Sequence, residues 1–430
     1  MNFDFDVIIV GAGPSGSALA ALLGREGVRT LLLDRATFPR EKLCGEYMSP
    51  GALGVLERLG VLDAVEALPH RKLFGHEMWS YDGVLVRGRY VTVGEHRPSR
   101  PYGLAVRRFL SDHVFFRNAA SFPSVKTLEN FRVDGLLREG GQVRGVRGTG
   151  PDGPRSFTAR LVAGCDGINS VVARELGLTR LDDRFRKIAL VGYWRGMEAG
   201  NWGEVHLLDE GYFAMAAVDD ELVNINFVLD GQALKAAKGD VAAFYDAHVL
   251  GNRRLAARMR NAVRTGPVRA TGPLARRNLG CVAPGAILCG DSAEFVDPVT
   301  GEGMFIALRS AEIAAELVVE ALKTGDETLH LSAWPVRRDA EFAGRHRACR
   351  RVQQFLPRRW AVNAILRRLA ARPDLADCVI SMSGDYVPPE AVFNPRFILS
   401  FLNPFAHGAP PEPVSAVGAG GVESSVEGRR

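Results

Sequence analysis

The feature that most constrains this 430-residue chain is a pair of glycine-rich segments set far apart in it. The first is Asp6-Val-Ile-Ile-Val-Gly11-Ala-Gly13-Pro14-Ser15-Gly16. The second is Cys289-Gly-Asp291-Ser-Ala-Glu-Phe-Val-Asp297-Pro298-Val-Thr-Gly301-Glu302-Gly303-Met304. In the first, the apolar run Val7 to Val10 reads as a strand buried on both faces of a parallel sheet. Gly11 permits the tight turn, Gly13 lets backbone approach a pyrophosphate, and Gly16 lets the following helix pack on the strand. A helix starting near Pro14 aims unpaired N–H groups and a partial positive charge at phosphate. Val28 to Leu33 reads as a second strand ending on Asp34, with Arg35 beside it. That acid lies about 20 residues beyond the glycines, where a carboxylate takes ribose hydroxyls.

A lone G-x-G-x-x-G is weak, and the chain carries a decoy. Gly148-Thr-Gly150-Pro-Asp-Gly153 fits the pattern, yet Pro151, Asp152 and Pro154 favour a turn and no helix opens there. It reads as a hairpin loop. The second segment behaves differently. Ala286 to Cys289 is a strand candidate, and Asp291 follows at its carboxyl end, where open α/β sheets bind ligands. Gly301 and Gly303 precede a helical stretch from about Met304 to Lys323, whose N-terminus suits the negative N1–C2 edge of a reduced flavin. The two segments together point to flavin adenine dinucleotide.

On these residues the chain resembles the FAD-dependent oxidoreductases of the aromatic hydroxylase (group A flavin monooxygenase) and geranylgeranyl reductase superfamily. Arg40-Glu-Lys42-Leu-Cys44-Gly45-Glu46 is similar to the family's Arg…Lys-x-Cys-Gly loop. Val106-Arg107-Arg-Phe-Leu-Ser111 is similar to its arginine followed by a helix, and Cys165-Asp166-Gly167 to its Asp-Gly segment. The resemblance extends to about residue 400. It implies that Arg40, Cys44, Gly45, Arg107, Asp166, Gly167, Pro298 and Met304 join Gly11, Gly13, Pro14, Ser15, Gly16, Asp34, Arg35, Asp291, Gly301 and Gly303 in binding FAD. It also implies NAD(P)H as a transient reductant. The reductases' Tyr-x-Trp-x-Phe-Pro run is replaced by Gly211-Tyr212-Phe-Ala214-Met-Ala-Ala217, and the halogenases' Trp-x-Trp-x-Ile-Pro signature does not occur.

The fold class expected is α/β, a Rossmann-like FAD-binding domain interleaved with a β-sheet substrate domain, plus C-terminal helices. The flavin domain takes 1–70, 100–180 and 280–325. The substrate sheet takes 71–99 and 181–279, the C-terminal helical region 326–405, and a disordered tail 406–430. Ser49-Pro50 starts a helix that Gly60 ends. No apolar run reaches about eighteen residues, no basic leader opens the chain, and six cysteines form no C-x-x-C pair. Those features suit a reducing cytoplasm.

From Phe342 to Pro373 there is no acidic residue, while arginines from Arg345 to Arg372 alternate with Val352, Phe355, Trp360 and Leu366. Peripheral contact with anionic lipid, at about 1 kcal/mol per basic residue, competes there with a solvated helix face covering the substrate lobe. The second is favoured. A net charge of +5 argues against nucleic acid.

Chemistry is assigned to the cofactor, with Cys44, Glu46 and Tyr212 as candidate catalytic residues. Against these stand an inert cysteine, a salt-bridged glutamate and a packing tyrosine. His76 and His206 share no spacing and receive no role. Three functions compete for a small hydrophobic substrate: oxygen insertion into an aromatic or electron-rich molecule, hydride delivery to a carbon–carbon double bond of a prenyl or polyketide-like chain, and redox-free lipid escort. The first is favoured. The chain shows no second dinucleotide fold, so NAD(P)H binds transiently or a separate reductase feeds the flavin.

Overall fold

The computed structural model describes residues 2–180, 187–274, 276–325 and 327–403. The expected tail, 406–430, lies outside the described residues.

The first sheet is built on Phe5–Val10, which pairs in parallel with Thr30–Leu33 on one side and Gly153–Gly164 on the other. Val125–Leu128 extends it beyond Thr30–Leu33, and Ala286–Leu288 beyond Gly153–Gly164, both in parallel. Val7 to Ile9 and Leu31 to Leu33 are fully buried, as strands covered on both faces must be. Helices Pro14–Arg25 and Gly303–Thr324 share one core through Leu19, Leu23, Leu308 and Ala311. The two glycine segments, distant in sequence, thus open at the same end of neighbouring strands. Gln142–Gly150 and Gly153–Gly164 form an antiparallel hairpin that turns at Pro151-Asp152, with the decoy glycines in its paired strand ends. Ser49 caps Pro50–Arg58 by accepting from Ala52 N.

The second sheet has seven strands, in the order Val263–Thr271, Lys187–Arg195, Leu222–Asp230, Gly211–Ala217, Gly203–Leu207, Gly75–Trp79 and Leu85–Arg89. Its strands come from segments on both sides of the flavin-domain hairpin, so the chain weaves between the sheets. One face buries Leu190, Trp194, Phe213, Met215, Ile225 and Phe227 against Tyr245 and Val249 of helix Val241–Leu250. The opposite face turns to the glycine loops. Because cross-strand partners share a face, the register writes this inner face as rows: Ala216, Asn224, Tyr193; then Met78, Val205, Ala214, Asn226, Val191; then Leu207, Tyr212, Val228, Ala189. His76, two residues before Met78 on its strand, extends the first row.

Helices Trp334–Phe355, Arg359–Ala370 and Pro373–Ser383 cover the apolar end of the inner face with Phe355, Leu366, Leu369 and Leu375. Most of their arginines are engaged. Arg345 pairs with Asp385 at 3.2 Å, Arg359 with Asp209 at 2.7 Å and Arg372 with Asp374 at 2.6 Å. Arg350 and Arg367 pair with Glu294 and Asp82. Arg368 donates to the carbonyls of Ser400 and Phe401.

Candidate active site between the glycine loops and the second sheet

Gly11 turns at φ +98°, and a Cβ there would stand 2.5 Å from the carbonyl oxygen of Cys165. A Cβ on Gly16 would sit 1.8 Å from the carbonyl oxygen of Gly11. Both glycines are therefore dictated by protein packing. Gly13 is not. A Cβ there would meet only Arg40 Nη2, at 3.5 Å; at Gly45 only Asn226 Nδ2, at 4.0 Å; at Gly167 only Lys42 Nζ, at 3.9 Å; at Gly303 nothing within 4 Å. These four glycines border open space running from the Pro14–Arg25 helix to the Gly303–Thr324 helix.

The polar groups along that space have the chemistry of an FAD site. Asp34 ends its strand and accepts from Ala12 N and Ala36 N, both at 2.9 Å. That leaves carboxylate lone pairs for ribose hydroxyls. Arg40 bridges Asp34 at 3.8 Å and buried Asp112 at 3.4 Å, so its guanidinium is held beside the Gly13 turn, ready for phosphate. Lys42 and Asp291 are reachable by solvent, yet both are perturbed by enclosure. Burial lowers the Lys42 pKa, with Arg108 adding to it and Asp291 opposing. Burial raises that of Asp291 against the pull of Lys42 and Arg108. Groups both wetted and enclosed line a deep cleft. The residues present fit FAD: Gly13, Ser15 and Arg40 for the phosphates, Asp34 for the ribose, Asp291 for ribityl hydroxyls, and Gly45 and Gly303 for the ring.

Several expected residues take other positions. Arg107 binds Glu41 at 2.8 Å and its guanidinium lies over the Tyr193 ring, 5.6 Å from the centroid; it stands at the mouth of the cleft. Asp166 caps helix Val171–Glu175 through Val171 N at 2.6 Å and accepts from Ser292 Oγ at 3.2 Å. It braces the Gly167 turn from behind. Arg35 is exposed, while Pro14 and Met304 are buried.

The three candidate catalytic residues differ sharply. Cys44 is half-buried, with the Arg108 guanidinium beside it. Tyr212 is 1% exposed and donates to Asp297 Oδ1 at 2.7 Å, while Lys187 pairs with Asp297 at 3.0 Å. It is a strut tying the second sheet to the second glycine loop, with no hydroxyl free in the cleft. Glu46 is 2% exposed on a backbone at φ +58°, a conformation a non-glycine residue holds only when its surroundings impose it. Its carboxylate accepts from the Tyr193 hydroxyl and from Arg108 N. Burial pushes the carboxyl up to about 7, against those two bonds and the charges of Arg108 and Arg107. Burial and the Glu46 carboxylate together raise Tyr193 well above the usual phenol range.

Sequence reasoning missed Tyr193, Asn224 and Asn226. Tyr193 sits in a strand with no marking beyond β propensity. The two asparagines did leave a signal: amides at i and i+2 in the otherwise apolar Leu222–Asp230 strand must share one face.

Known proteins share this arrangement. A family model described as "FAD binding domain" matches residues 4–192, and one described as "Squalene epoxidase" matches residues 158–333. Squalene epoxidase 2, mitochondrial, of Arabidopsis thaliana is 29% identical over 73% of this chain, which spans only 54% of that protein's length. Menaquinone reductase of Mycolicibacterium smegmatis is 29% identical over 83% of the chain and 85% of its own length. The solved structure of the myxobacterial chondrochloren halogenase superposes with a TM-score of 0.73 at 25% identity, over 80% of this chain and 81% of the other. The glycine loops, the interleaved sheets and these likenesses coincide: residues 4–192 match an FAD-binding domain, and over most of its length the chain is similar to FAD-dependent monooxygenases and reductases.

Proposed function

We propose that the chain is an FAD-dependent, NAD(P)H-linked monooxygenase that inserts one oxygen atom into an apolar, unsaturated or aromatic molecule. The observation that carries this reading is the inner face of the second sheet. Opposite the ring-binding glycines it offers Met78, Val191, Val205, Ala214 and Ala216, walled by the Tyr47 and Tyr193 rings, with a charged side chain, the exposed Arg269, only on the edge strand beyond Val191. Bound FAD would supply a two-electron carrier able to activate dioxygen or deliver hydride. The chain's own residues do the rest. Arg40 and the glycine turns hold the phosphates, the sheet face excludes water from the ring, and Glu46 orients the Tyr193 hydroxyl by accepting its proton in a hydrogen bond. The likeness to squalene epoxidases supports this reading, since an epoxidase adds oxygen across a double bond.

A second reading, reduction of a double bond, is favoured by one observation. Glu46 and Tyr193 form an enclosed proton donor of the kind that must complete a hydride addition, and menaquinone reductase is similar over most of its length. Squalene and a short-chain menaquinone, incubated with the FAD-loaded chain and NADPH in air, separate the two by product mass. A product heavier by one oxygen atom is expected; one heavier by two hydrogens establishes the second reading instead.

No described helix is long and apolar enough to cross a membrane. We place the chain in the cytoplasm on its six free thiols. The arginine-rich helices we read as a brace over the substrate sheet, since most of their guanidinium groups are already engaged. Co-sedimentation with anionic vesicles tests this, with no salt-sensitive binding expected.

A further inference from the structure

The inner face is graded in polarity. Its row nearest the Cys44–Glu46 loop holds His76, Ala216, Asn224 and Tyr193, while the row farthest away holds Leu207, Tyr212, Val228 and Ala189. In the polar row two groups are left over. Asn224 Nδ2 and His76 Nε2 are buried and have no hydrogen-bond partner among the described residues. The Asn224 carbonyl oxygen is taken by the amide of Asn226, whose Nδ2 also reaches the carbonyl of Ala214 at 3.2 Å. That network leaves the Asn224 amide as a donor with nothing to donate to. An unsatisfied buried donor costs folding free energy, and such a cost is tolerated where a ligand supplies the acceptor.

The missing acceptor is neutral. His76 has no carboxylate or arginine beside it, only the Tyr47 and Tyr90 rings at 5.1 and 5.9 Å, and burial holds it uncharged, with its pKa pushed down to about 4. Arg107, the cation near Tyr193, pairs with Glu41 through Nη2 and keeps an unpartnered Nε at that end of the row. At the His76–Asn224 end a carboxylate or phosphate would find no counter-charge beside the imidazole and would pay its desolvation there. Beyond the polar row the face becomes hydrocarbon.

We propose that His76, Asn224 and Tyr193 form a recognition site for a neutral ring oxygen, a quinone carbonyl or a phenol hydroxyl, on a substrate that is otherwise apolar. This rests on the oxidoreductase reading above and narrows its substrate class: a plain hydrocarbon leaves the polar row unsatisfied, whereas an oxygenated ring satisfies it. The Tyr47 ring lies against His76 and packs on the cluster containing Ala216. Its hydroxyl is tied to that of Tyr90 and it covers the row, so a substrate oxygen would reach Asn224 only with that ring displaced. Tyr193 and Asn224 would touch the substrate; Glu46 orients Tyr193 and is a positioning residue.

The test is a set of equilibrium titrations of the FAD-loaded full chain with menadione, naphthol and methylnaphthalene, read by perturbation of the flavin absorbance spectrum. The three share a ring system and differ in oxygen. Menadione and naphthol should each bind about tenfold more tightly than methylnaphthalene, the gain from about one well-made buried hydrogen bond. In Asn224→Leu that preference should shrink to about twofold for both oxygenated rings, and in Tyr193→Phe for naphthol, whose hydroxyl can donate to the Tyr193 oxygen. Equal affinity of the wild-type chain for all three, binding of none, or an intact preference in both variants would overturn the proposal. Should a variant fail to hold FAD, the wild-type comparison alone decides. Binding is read without turnover, so a chain that selects oxygenated rings but yields no oxygenated product overturns the monooxygenase reading and leaves this one standing.

Discussion

Glu46 combines a left-handed backbone, near-complete burial and a partner 147 positions away, Tyr193. Its place in the Cys44–Glu46 loop was legible from the sequence; its environment was not, because the burial comes from a strand in the other sheet. The consequence for stability has a definite sign. The folded pKa, about 7, lies above the ordinary value of 4.5, so between these limits the native state holds a proton that the unfolded state has lost. Stability contributed by the neutral carboxyl is complete below 4.5 and is lost as pH rises to about 7, by about 3 kcal/mol in total. Glu46→Gln, measured by urea unfolding at about pH 5 and about pH 8, should remove that loss. An unchanged pH slope would place the raised pKa elsewhere. His76 works in the opposite direction, its lowered pKa costing stability as pH falls from 6.5 towards 4.

Among the elements, the strand–glycine–helix–strand–acid unit was readable because each of its constraints is local. Asp34 needs only 22 residues to reach Ala12 N, and the two buried strands flank it directly. The glycines nonetheless do different work, and substitution separates them. Gly11→Ala meets both a positive φ and a carbonyl at 2.5 Å, so it should cost about 1–3 kcal/mol of folding stability. Gly13→Ala meets only the flexible end of Arg40, so its melting temperature should match wild type while FAD affinity falls about tenfold or more, where backbone must approach the pyrophosphate. Thermal melts of the FAD-free proteins and flavin titrations read the two effects apart. Equal effects on both measurements would mean that Gly13 is a packing residue. The rows of the second sheet were less legible. Strands such as Leu222–Asp230 could be placed by β-branched content, but which face met the flavin domain depended on pairings between remote segments.

At the scale of the whole molecule, the two sheets are joined through Tyr212, Asp297 and Lys187. Tyr212 was chosen from the sequence as a candidate for the pocket floor, and the structure makes it a strut between the lobes. Tyr212→Phe leaves Asp297 paired with Lys187 and removes one buried bond, at about 1–2 kcal/mol. The account expects lower stability and faster FAD release, followed by flavin fluorescence recovery after dilution; unaltered release would dissociate Asp297 from the cofactor loop. The arginine-rich region shows why a charge run is hard to read in sequence. Its partners, Asp82, Asp209, Glu294 and Asp385, are scattered across the chain, so the excess is visible and its neutralisation is not. What holds these parts together is a single claim, that both glycine segments and the inner sheet face enclose one redox-active FAD. Anaerobic stopped-flow mixing of the FAD-loaded chain with NADPH tests it most directly. The chain should retain FAD through gel filtration, and NADPH should bleach its oxidised absorbance. A folded protein that emerges colourless and takes up no added FAD would contradict it.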